Sequence, residues 1–416
     1  MVGQLRINEK RLWDQLDELA QIGAISGTLG SSRLALTKED GLGRDLVISW
    51  MEQLEMEVSI DAIGNVVGLW CGGKTDRSLP PVMTGSHIDT VKSGGRFDGN
   101  LGVLAGLEVI KVIKEQNIST KHPIAVSFFT GEEGSRFAPD MLGSLVYVGG
   151  LDLETALSTI SVDGKRLGSE LEDIGYNGTA PCPGATPKIF LELHIEQGPI
   201  LESEGIDIGA VENVQGISWT EFTIKGQSNH AGTTPMRMRR DAGYVAAKIS
   251  TFVRDLSNEM GGTQVGTVGK IDLVPNLVNV VSSKATMTVD LRNTSELMLQ
   301  EAENRLAIFC EGIASQEDVE ISRKSLARFE PVEFNHQLVD QVFVTAQNLG
   351  YSTKRMTSGA GHDAQMLSRV CPAAMIFVPS KDGLSHNPAE FTSIEEVAAG
   401  ANVLLHLIVD AAEEYR

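Results

Sequence analysis

The stretch TGSHIDTVKSGGRFDGN, from Thr84 to Asn100, decides how the rest of the chain is interpreted. The apolar run Pro80–Met83 precedes it and is typical of the end of a buried strand, and a helical pattern of apolar residues follows it. His87, Asp89 and Asp98 are therefore expected in a glycine-rich loop between a strand and a helix. Open α/β sheets bind their ligands at this carboxyl edge. We expect the remaining functional groups at neighbouring strand ends.

The composition of the 416-residue chain is that of an ordinary globular protein, with 42% apolar and 22% charged residues. This length predicts two or more domains, each able to bury a core. A formal net charge of −20 makes nucleic acid or an anionic membrane an unfavourable partner. No apolar run approaches the roughly 20 residues of a membrane-spanning helix. The first residues contain no apolar signal core, so we expect a cytoplasmic protein.

Strand and helix signals alternate in the first half of the chain. Pro123–Phe129 and Lys188–Ile195 are continuous apolar runs of strand length, and each ends in a polar motif. Strands that are apolar on both faces and alternate with helices predict a mainly parallel α/β sheet. The same pattern returns after about Phe329. We therefore assign residues 1–212 and 330–416 to one catalytic domain.

A different pattern begins near Glu212. A half-buried strand is predicted at Ile217–Lys225, and further strands are predicted at Thr263–Asp272, Leu277–Ser283, Lys284–Arg292 and Asp318–Ile321. Two long helical segments separate them. Antiparallel strands with helices on one face form an α+β unit. We assign residues 213–329 to a lid with a four-stranded antiparallel sheet, inserted into the catalytic domain.

Five side chains that follow or flank predicted strand ends could form a paired metal site. They are His87, Asp98, Glu133, His194 and His386. Imidazole combined with carboxylate suits zinc, manganese, cobalt or nickel, and Asp98 is the best candidate to bridge two ions. Asp89, two residues after His87, is expected to fix the imidazole tautomer of that ligand. Glu132 can face a bound water as the general base.

Each of these signals is weak when taken alone. A lone His-x-Asp pair is more often structural than metal-binding, and GEEG can be an acidic turn. His362 in GAGHDA is a weaker candidate, for the wall of the pocket. The combination is specific, because TGSHIDT, GGRFDG, TGEEGS, LELHIEQGP and SHNPAE follow one another in order at predicted strand ends.

With these motifs the chain resembles the M20 metallopeptidase clan and, within it, the branch of amidases, hydantoinases and carbamoylases. The resemblance runs essentially end to end and includes the lid. The two ligand sets that it implies are His87, Asp98 and His194 for one divalent metal ion, and Asp98, Glu133 and His386 for the other. It also implies that Glu132 is the general acid and base. The bridging aspartate of the family precedes a cis peptide bond, which would be Asp98–Gly99 here.

His194 indicates the carbamoyl branch, because peptidases of the clan usually have an acidic residue at this position. GEEGSRF and HAGTTPM also match that branch better. The resemblance implies substrate contacts from Gln197, His230, Asn279, Arg292 and Gly361. Gln197 would face the carbamoyl group, and His230 would contact the reacting group. Asn279 and Arg292 would bind the substrate carboxylate, which a guanidinium can do with two parallel hydrogen bonds.

The sequence thus predicts an amidohydrolase with two divalent metal ions that converts N-carbamoyl-L-amino acids to the amino acid, ammonia and carbon dioxide. Allantoate amidohydrolase shares every motif and stays open as an alternative, whereas β-ureidopropionase is less favoured. A dipeptidase or aminoacylase is disfavoured by His194 and Gln197. A non-catalytic binding protein is disfavoured because the five ligands and Glu132 are all present. In the related homodimers lid pairs with lid and the counterpart of His230 enters the partner's active site, so we expect the same here.

Overall fold

The computed structural model of the protein describes residues 5–413. Its helices are α1 (Glu9–Ala20), α2 (Lys38–Gln53), α3 (Asn100–Glu115), α4 (Leu142–Tyr147), α5 (Leu153–Leu157), α6 (Leu167–Asp173), α7 (Ile200–Glu204), α8 (Ala242–Met260), α9 (Glu296–Glu317), α10 (His336–Asn348), α11 (Asp363–Leu367) and α12 (Ile394–Ala412). Its strands are β1 (Glu57–Ile60), β2 (Val66–Trp70), β3 (Val82–His87), β4 (Ile124–Phe129), β5 (Ile189–Ile195), β6 (Ile208–Val214), β7 (Gly216–Lys225), β8 (Val265–Val274), β9 (Lys284–Asn293), β10 (Glu320–Phe329), β11 (Val332–Glu333), β12 (Thr353–Ser358) and β13 (Ala373–Val378). Short 3-10 turns cover Met236–Met238 and Lys381–Gly383.

The chain divides into two compact units, Met1–Glu212 with Glu333–Arg416, and Asn213–Val332. The larger sheet has the strand order β1-β2-β4-β3-β5-β13-β6-β11, with β12 beside β6. Its centre, β4-β3-β5-β13, is parallel, and antiparallel neighbours flank that centre on both sides. The predicted mainly parallel sheet is therefore confirmed. Within the described part of the chain, no helix has the length and apolarity needed to cross a membrane.

The parallel centre of the sheet is the core of the first unit. Every residue of β3, β4, β5 and β13 is buried, as expected for strands that are covered on both faces. Helix α3 packs on β3, α12 packs on β13, and α3 and α12 also contact each other. Because the four central strands are parallel, their carboxyl ends meet at one edge of the sheet, and the loops that follow them are brought together there.

The smaller sheet belongs to the second unit and has the order β10-β7-β9-β8. All three pairings are antiparallel, which confirms the predicted four-stranded antiparallel sheet. In β9 the residues alternate between exposed or half-buried and buried, and the buried apolar residues are Ala285, Met287, Val289 and Leu291. These four side chains pack in one apolar core with residues of α8 and α9. One face of the sheet is thus covered by helices, as the alternation predicts.

Two of the predicted lid strands are wrong in extent or in kind. Leu277–Ser283 forms a turn with an isolated bridge between His230 and Val280 rather than a strand. The chain leaves β8 at Pro275, which has no N–H for a ladder, and Asn276 then takes a left-handed backbone with φ 52°. The strand predicted at Asp318–Ile321 begins two residues later, at Glu320, and continues to Phe329 as β10. Most of its side chains are polar, so the sequence does not show the full length of this strand.

Removing one partner of the buried ion pair in α2 should destabilise the protein strongly. Arg44 Nε lies 2.9 Å from Asp40 Oδ2, and both side chains are inaccessible to solvent. Asp40→Ala would leave the Arg44 charge buried without its partner and should lower the free energy of unfolding by about 3–5 kcal/mol. Denaturant unfolding measures this change. Asp14→Ala, which breaks the exposed pair between Asp14 and Lys10, is the control and should change little; equal effects of the two changes would contradict the prediction.

Candidate metal centre and active site

All of the predicted metal ligands lie at the carboxyl edge of the central parallel strands. His87 is the last residue of β3, His194 is the sixth residue of β5, and Asp98 lies two residues before α3. Glu133 follows β4 by four residues, and His386 lies in the loop between β13 and α12. All five belong to the first unit. They come together because the four central strands are parallel and adjacent.

Asp98 is the shared member of two groups of potential ligands. Its Oδ1 lies 3.5 Å from His87 Nε2 and 3.2 Å from His194 Nε2. Its Oδ2 lies 3.7 Å from His386 Nε2, which in turn lies 3.0 Å from Glu133 Oε2. The carboxylate therefore presents one oxygen to each group. His87 Nε2 is buried without a hydrogen-bond partner, so this donor set fits divalent cations.

Main-chain carbonyls fix the orientation of two of the imidazoles. The Nδ1–H of His87 donates to Asp89 O, and that of His194 donates to Ile195 O, both at 2.9 Å. Each ring therefore turns Nε2 towards Asp98, and this nitrogen can bind a metal ion once it is deprotonated. The hydrogen bond of Asp89 to His87 comes from its main-chain carbonyl, whereas its carboxylate Oδ1 is 4.0 Å from Nδ1. That carboxylate accepts the main-chain N–H groups of Glu132 and its neighbour at 3.3 and 3.4 Å, and so holds their loop.

The cis bond expected at Asp98–Gly99 is not found. In residues 5–413 the cis peptide bonds precede Pro139, Pro183 and Pro275. The chain turns after Asp98 through Gly99, whose φ is 67° and ψ −48°, a conformation that glycine adopts more readily than other residues. A Cβ at Gly99 would overlap the ring of His87. Glycine is required here by both the turn and the close approach of a ligand.

Glu132 lies next to the first ligand group. Its Oε2 is 3.4 Å from His87 Nε2, and only 7% of the residue is exposed. Burial raises the pKa of the Glu132 carboxyl well above its usual range, and the nearby Asp363 carboxylate adds to the shift while His87 opposes it. A carboxyl group with a raised pKa can both take and return a proton near neutral pH, as a general acid and base must.

Several polar groups that sequence reasoning missed hold Asp98. Ser385 Oγ donates to Asp98 Oδ2 at 2.6 Å, and Glu390 Oε1 accepts the Asp98 N–H at 3.2 Å. Both residues flank His386 in the SHNPAE motif, which was the available signal. Gln197, which was predicted to face the carbamoyl group, donates from Nε2 to Asp98 Oδ2 at 2.8 Å. Its Oε1 is buried without a hydrogen-bond partner and can accept one.

His362 and Gly361 lie in the first unit near the ligands. The His362 ring meets the His194 ring edge to face, with centroids 4.6 Å apart, and its Nε2 is 2.9 Å from Ser358 Oγ. Burial lowers the pKa of His362 well below its usual range, so the ring is neutral. Half-buried Gly361 precedes it, and a Cβ there would meet the Met141 side chain at 2.7 Å. His362 is thus a buried packing neighbour of a ligand.

The other predicted substrate residues lie in the second unit. His230 is exposed, and its Nδ1 accepts the N–H groups of Gly232 and Thr233 at 3.0 and 3.2 Å. The neutral ring therefore carries its proton on Nε2 and can donate from it. The Asn279 segment is adjacent, since Ala231 N donates to Asn279 O at 2.9 Å. The guanidinium of Arg292 is already paired, because its Nε and Nη2 both bond to the Asp290 carboxylate.

Comparison with known proteins identifies the family. The model of peptidase family M20/M25/M40 matches residues 83–410, which is most of the chain. The chain belongs to this family. Its Rhizobium meliloti relative named N-carbamoyl-L-amino-acid amidohydrolase is 42% identical over 98% of this chain and 97% of that protein. A Bacillus subtilis relative named allantoate amidohydrolase is 35% identical over 96% of this chain and 97% of that protein.

A solved structure from Burkholderia multivorans, described as an amidase of the hydantoinase/carbamoylase family, superposes with a TM-score of 0.91 at 43% identity. The match covers 99% of each chain. The predicted resemblance to the amidase branch of the M20 clan is therefore confirmed. Family membership and the ligand groups around Asp98 together indicate that the protein uses divalent metal.

Binding of a cation beside His386 should depend on pH. A hydrogen bond to Glu133 raises the pKa of His386 to about 9, so the imidazole is protonated at neutral pH. Only the neutral ring binds a metal ion, and the proton must leave first. As pH falls below 9, affinity at this site should therefore fall about tenfold per unit. Calorimetric titration of metal-free protein with Mn²⁺, in buffers of different ionisation enthalpy, counts the released protons.

His386→Ala should lower the number of protons released and weaken the pH dependence of binding at this group. His336→Ala is the matched control, because the His336 side chain is 83% exposed at the start of α10 and lies outside both ligand groups. Affinity that stays constant between pH 7 and 9 in the unchanged protein would contradict the prediction.

Proposed function

We propose that the protein is a two-metal amidohydrolase acting on N-carbamoyl-L-amino acids, from which it releases the L-amino acid, ammonia and carbon dioxide. The observation that carries the proposal is the position of Asp98, with one carboxylate oxygen facing each of two ligand groups. The choice of substrate is supported by similarity over 98% of the chain to a protein named for that activity.

The cations would be held by the two groups that share Asp98. His87 and His194 complete one group, and Glu133 and His386 complete the other. Manganese, zinc, cobalt and nickel all suit imidazole and carboxylate donors. When bound, such cations polarise a carbonyl oxygen and lower the pKa of water, which supplies a nucleophile at neutral pH.

Glu132 would move the protons of the reaction. It would accept a proton from the attacking water and return it to the nitrogen that leaves as the amino group of the product. The ureido carbon–nitrogen bond breaks in this step, and the carbamic acid that remains decomposes to ammonia and carbon dioxide. His230 would donate from Nε2–H to the carbonyl oxygen as negative charge develops on it, which agrees with the tautomer set by its main-chain contacts.

The remaining predicted residues would bind the substrate. Gln197 would contact the carbamoyl group, for which its buried, unpartnered Oε1 is a suitable acceptor of the terminal N–H₂. Gly361, which has no side chain, would leave room for the carbamoyl group. Asn279 and Arg292 would bind the substrate carboxylate, and Arg292 is held for this by its two-nitrogen contact with Asp290.

The second unit would pair with that of another copy to form a homodimer. Strand β8 ends the order of the smaller sheet and has an open edge within the described chain. Apolar side chains are exposed on and just after it, at Val265, Ile271, Val274, Leu277 and Val278. An exposed apolar edge strand is a surface that another chain covers. The four cysteines are free thiols, which suits a cytoplasmic location.

Allantoate is the alternative substrate. It is supported by 35% identity, over 96% of this chain, to a protein named allantoate amidohydrolase. Allantoate also has a carboxylate and ureido groups, so the same residues would bind it. Ammonia release from carbamoyl-methionine, carbamoyl-β-alanine, allantoate and a dipeptide would test the proposal. Turnover of carbamoyl-methionine well above the others supports it; turnover of allantoate alone would replace it, and turnover of the dipeptide alone would refute it.

Replacing the two adjacent glutamates separates base from ligand. Glu132→Gln should abolish turnover yet keep bound metal, because an amide cannot accept the proton. Glu133→Gln should weaken metal binding, because it removes a charged ligand from one group. Elemental analysis and the ammonia assay measure both effects. Near wild-type turnover in Glu132→Gln would show that these roles are wrong.

His230 is predicted to act in the active site of the partner chain. His230→Ala and Glu132→Gln would each be inactive alone. In a mixed dimer, one site would then contain both defects and the other none. Equal co-expression gives half mixed dimers, so about a quarter of wild-type activity should return.

If His230 acts within its own chain, every site keeps one defect and mixing restores nothing. Differently tagged chains allow mixed dimers to be purified before the assay. Verified mixed dimers that remain inactive would contradict action in the partner's site.

A further inference from the structure

We propose that Glu390 is a positioning residue that ties the loop of His386 to Asp98 and so sets the affinity of the cation site that these two residues share. The inference rests on the two-metal site proposed above and adds to it a residue that binds no metal itself. It is carried by three polar contacts of the buried Glu390 carboxylate, two with main-chain N–H groups and one with the hydroxyl of Ser385.

Glu390 connects two segments that lie far apart in the sequence. The residue is only 1% exposed. Its Oε1 accepts the main-chain N–H groups of Phe97 at 2.9 Å and Asp98 at 3.2 Å. Its Oε2 lies 3.1 Å from the hydroxyl oxygen of Ser385, whose single proton is donated to Asp98 Oδ2 at 2.6 Å. One carboxylate thus contacts the backbone before the shared ligand and the residue before His386.

The loop of His386 needs such an attachment more than the other ligand segments do. The His386 side chain is 52% exposed, whereas those of the other four ligands are at most 5% exposed. Its backbone is left-handed, with φ 53°, a conformation that costs free energy and persists only when surroundings enforce it. Hydrogen bonds from the N–H groups of Ala389 and Glu390 to Asn387 shape the turn but leave it unattached to Asp98.

The packing beside Glu390 keeps space for its carboxyl group. A Cβ at Gly95 would overlap that group. The loop that contains His386 and Glu390 also packs closely against Gly30, because a Cβ there would come within 2.8 Å of two Pro388 carbon atoms. Gly95 and Gly30 therefore permit the approach by which Glu390 reaches the Asp98 backbone.

These contacts distinguish a positioning role from a requirement for negative charge. In Glu390→Gln the amide oxygen can still accept the two N–H groups, and the amide nitrogen can donate to the Ser385 oxygen. The Ser385 hydroxyl would still donate to Asp98. Glu390→Ala removes all of these contacts. The glutamine variant should therefore behave like the unchanged protein, and the alanine variant should not.

The test is calorimetric titration of metal-free protein with Mn²⁺, with elemental analysis of the bound metal. Glu390→Ala should bind the cation of the His386 group about 10–100-fold more weakly and keep the other cation. Glu390→Gln should bind both as the unchanged protein does. Glu395→Ala, an exposed glutamate in the first turn of α12, is the matched control and should also bind both.

Three results would overturn the inference: unchanged affinity for both cations in Glu390→Ala, equal losses in the alanine and glutamine variants, or loss of both cations in a folded Glu390→Ala. Circular dichroism and the melting temperature in chelator report folding. If Glu390→Ala does not fold, Ser385→Ala removes only the hydroxyl link; weaker binding at the His386 group supports the inference, and unchanged binding overturns it. Absence of cation binding by the unchanged protein would instead refute the two-metal proposal.

Discussion

The carboxylate of Asp98 is the group on which the candidate site depends, because it must stay charged while almost fully buried. A buried carboxylate is costly unless hydrogen bonds and opposite charges surround it. Here Oδ1 meets two imidazoles, Oδ2 receives hydrogen bonds from Gln197 and Ser385, and Glu390 holds the main chain. The imidazoles keep the pKa of Asp98 well below its usual range despite the opposing effect of burial. The loops at the sheet edge therefore all converge on one acidic group.

Hydrogen-bond donors and the buried guanidinium of Arg33 offset the cost of burying the acidic groups of this centre. The Asp89 carboxylate is satisfied by two N–H groups, and the Glu192 carboxylate by Ser86 and Ala364. Arg33 is fully buried, and its guanidinium donates to Ile88 O and Asn100 Oδ1. Arg33 thus binds the residue that follows His87 and the residue that follows Gly99. Hydrogen bonds that involve the main chain therefore help to position the loops that contain the candidate ligands.

The elements that the sequence predicts well are those whose signal is local. The central strands are unbroken apolar runs because both faces are covered, and β9 alternates because only one face is. The candidate ligands are visible in the sequence because polar residues directly after apolar strands stand out. By contrast, β10 was underestimated because its stability comes from pairing with β7, about a hundred residues away.

Hydrogen-bond partners that lie far apart in the sequence could not be predicted either, because no local pattern marks them. Glu390 and Phe97 are 293 residues apart, and only the fold makes them neighbours. The main-chain contact of Asp89 with His87 was equally hidden, since any residue at that position offers a carbonyl. The turn after Asp98 was only partly predictable. The sequence shows Gly99, but it does not show whether the chain turns there by a cis peptide bond or by a positive φ.

The presence of histidine at position 194 has a consequence for the chemistry of the proposed centre. Its five ligands supply two carboxylates, Asp98 and Glu133, and three imidazoles, which are neutral when they bind metal. Two divalent cations in this set keep a net positive charge, whereas a third carboxylate in place of His194 would remove one unit of it. A more positive centre lowers the pKa of nearby water further and stabilises a developing oxyanion more strongly. A ureido carbonyl needs that help more than a peptide carbonyl does, because two nitrogen lone pairs reduce its electrophilicity. The ligand set is therefore better matched to a carbamoyl substrate than to a peptide.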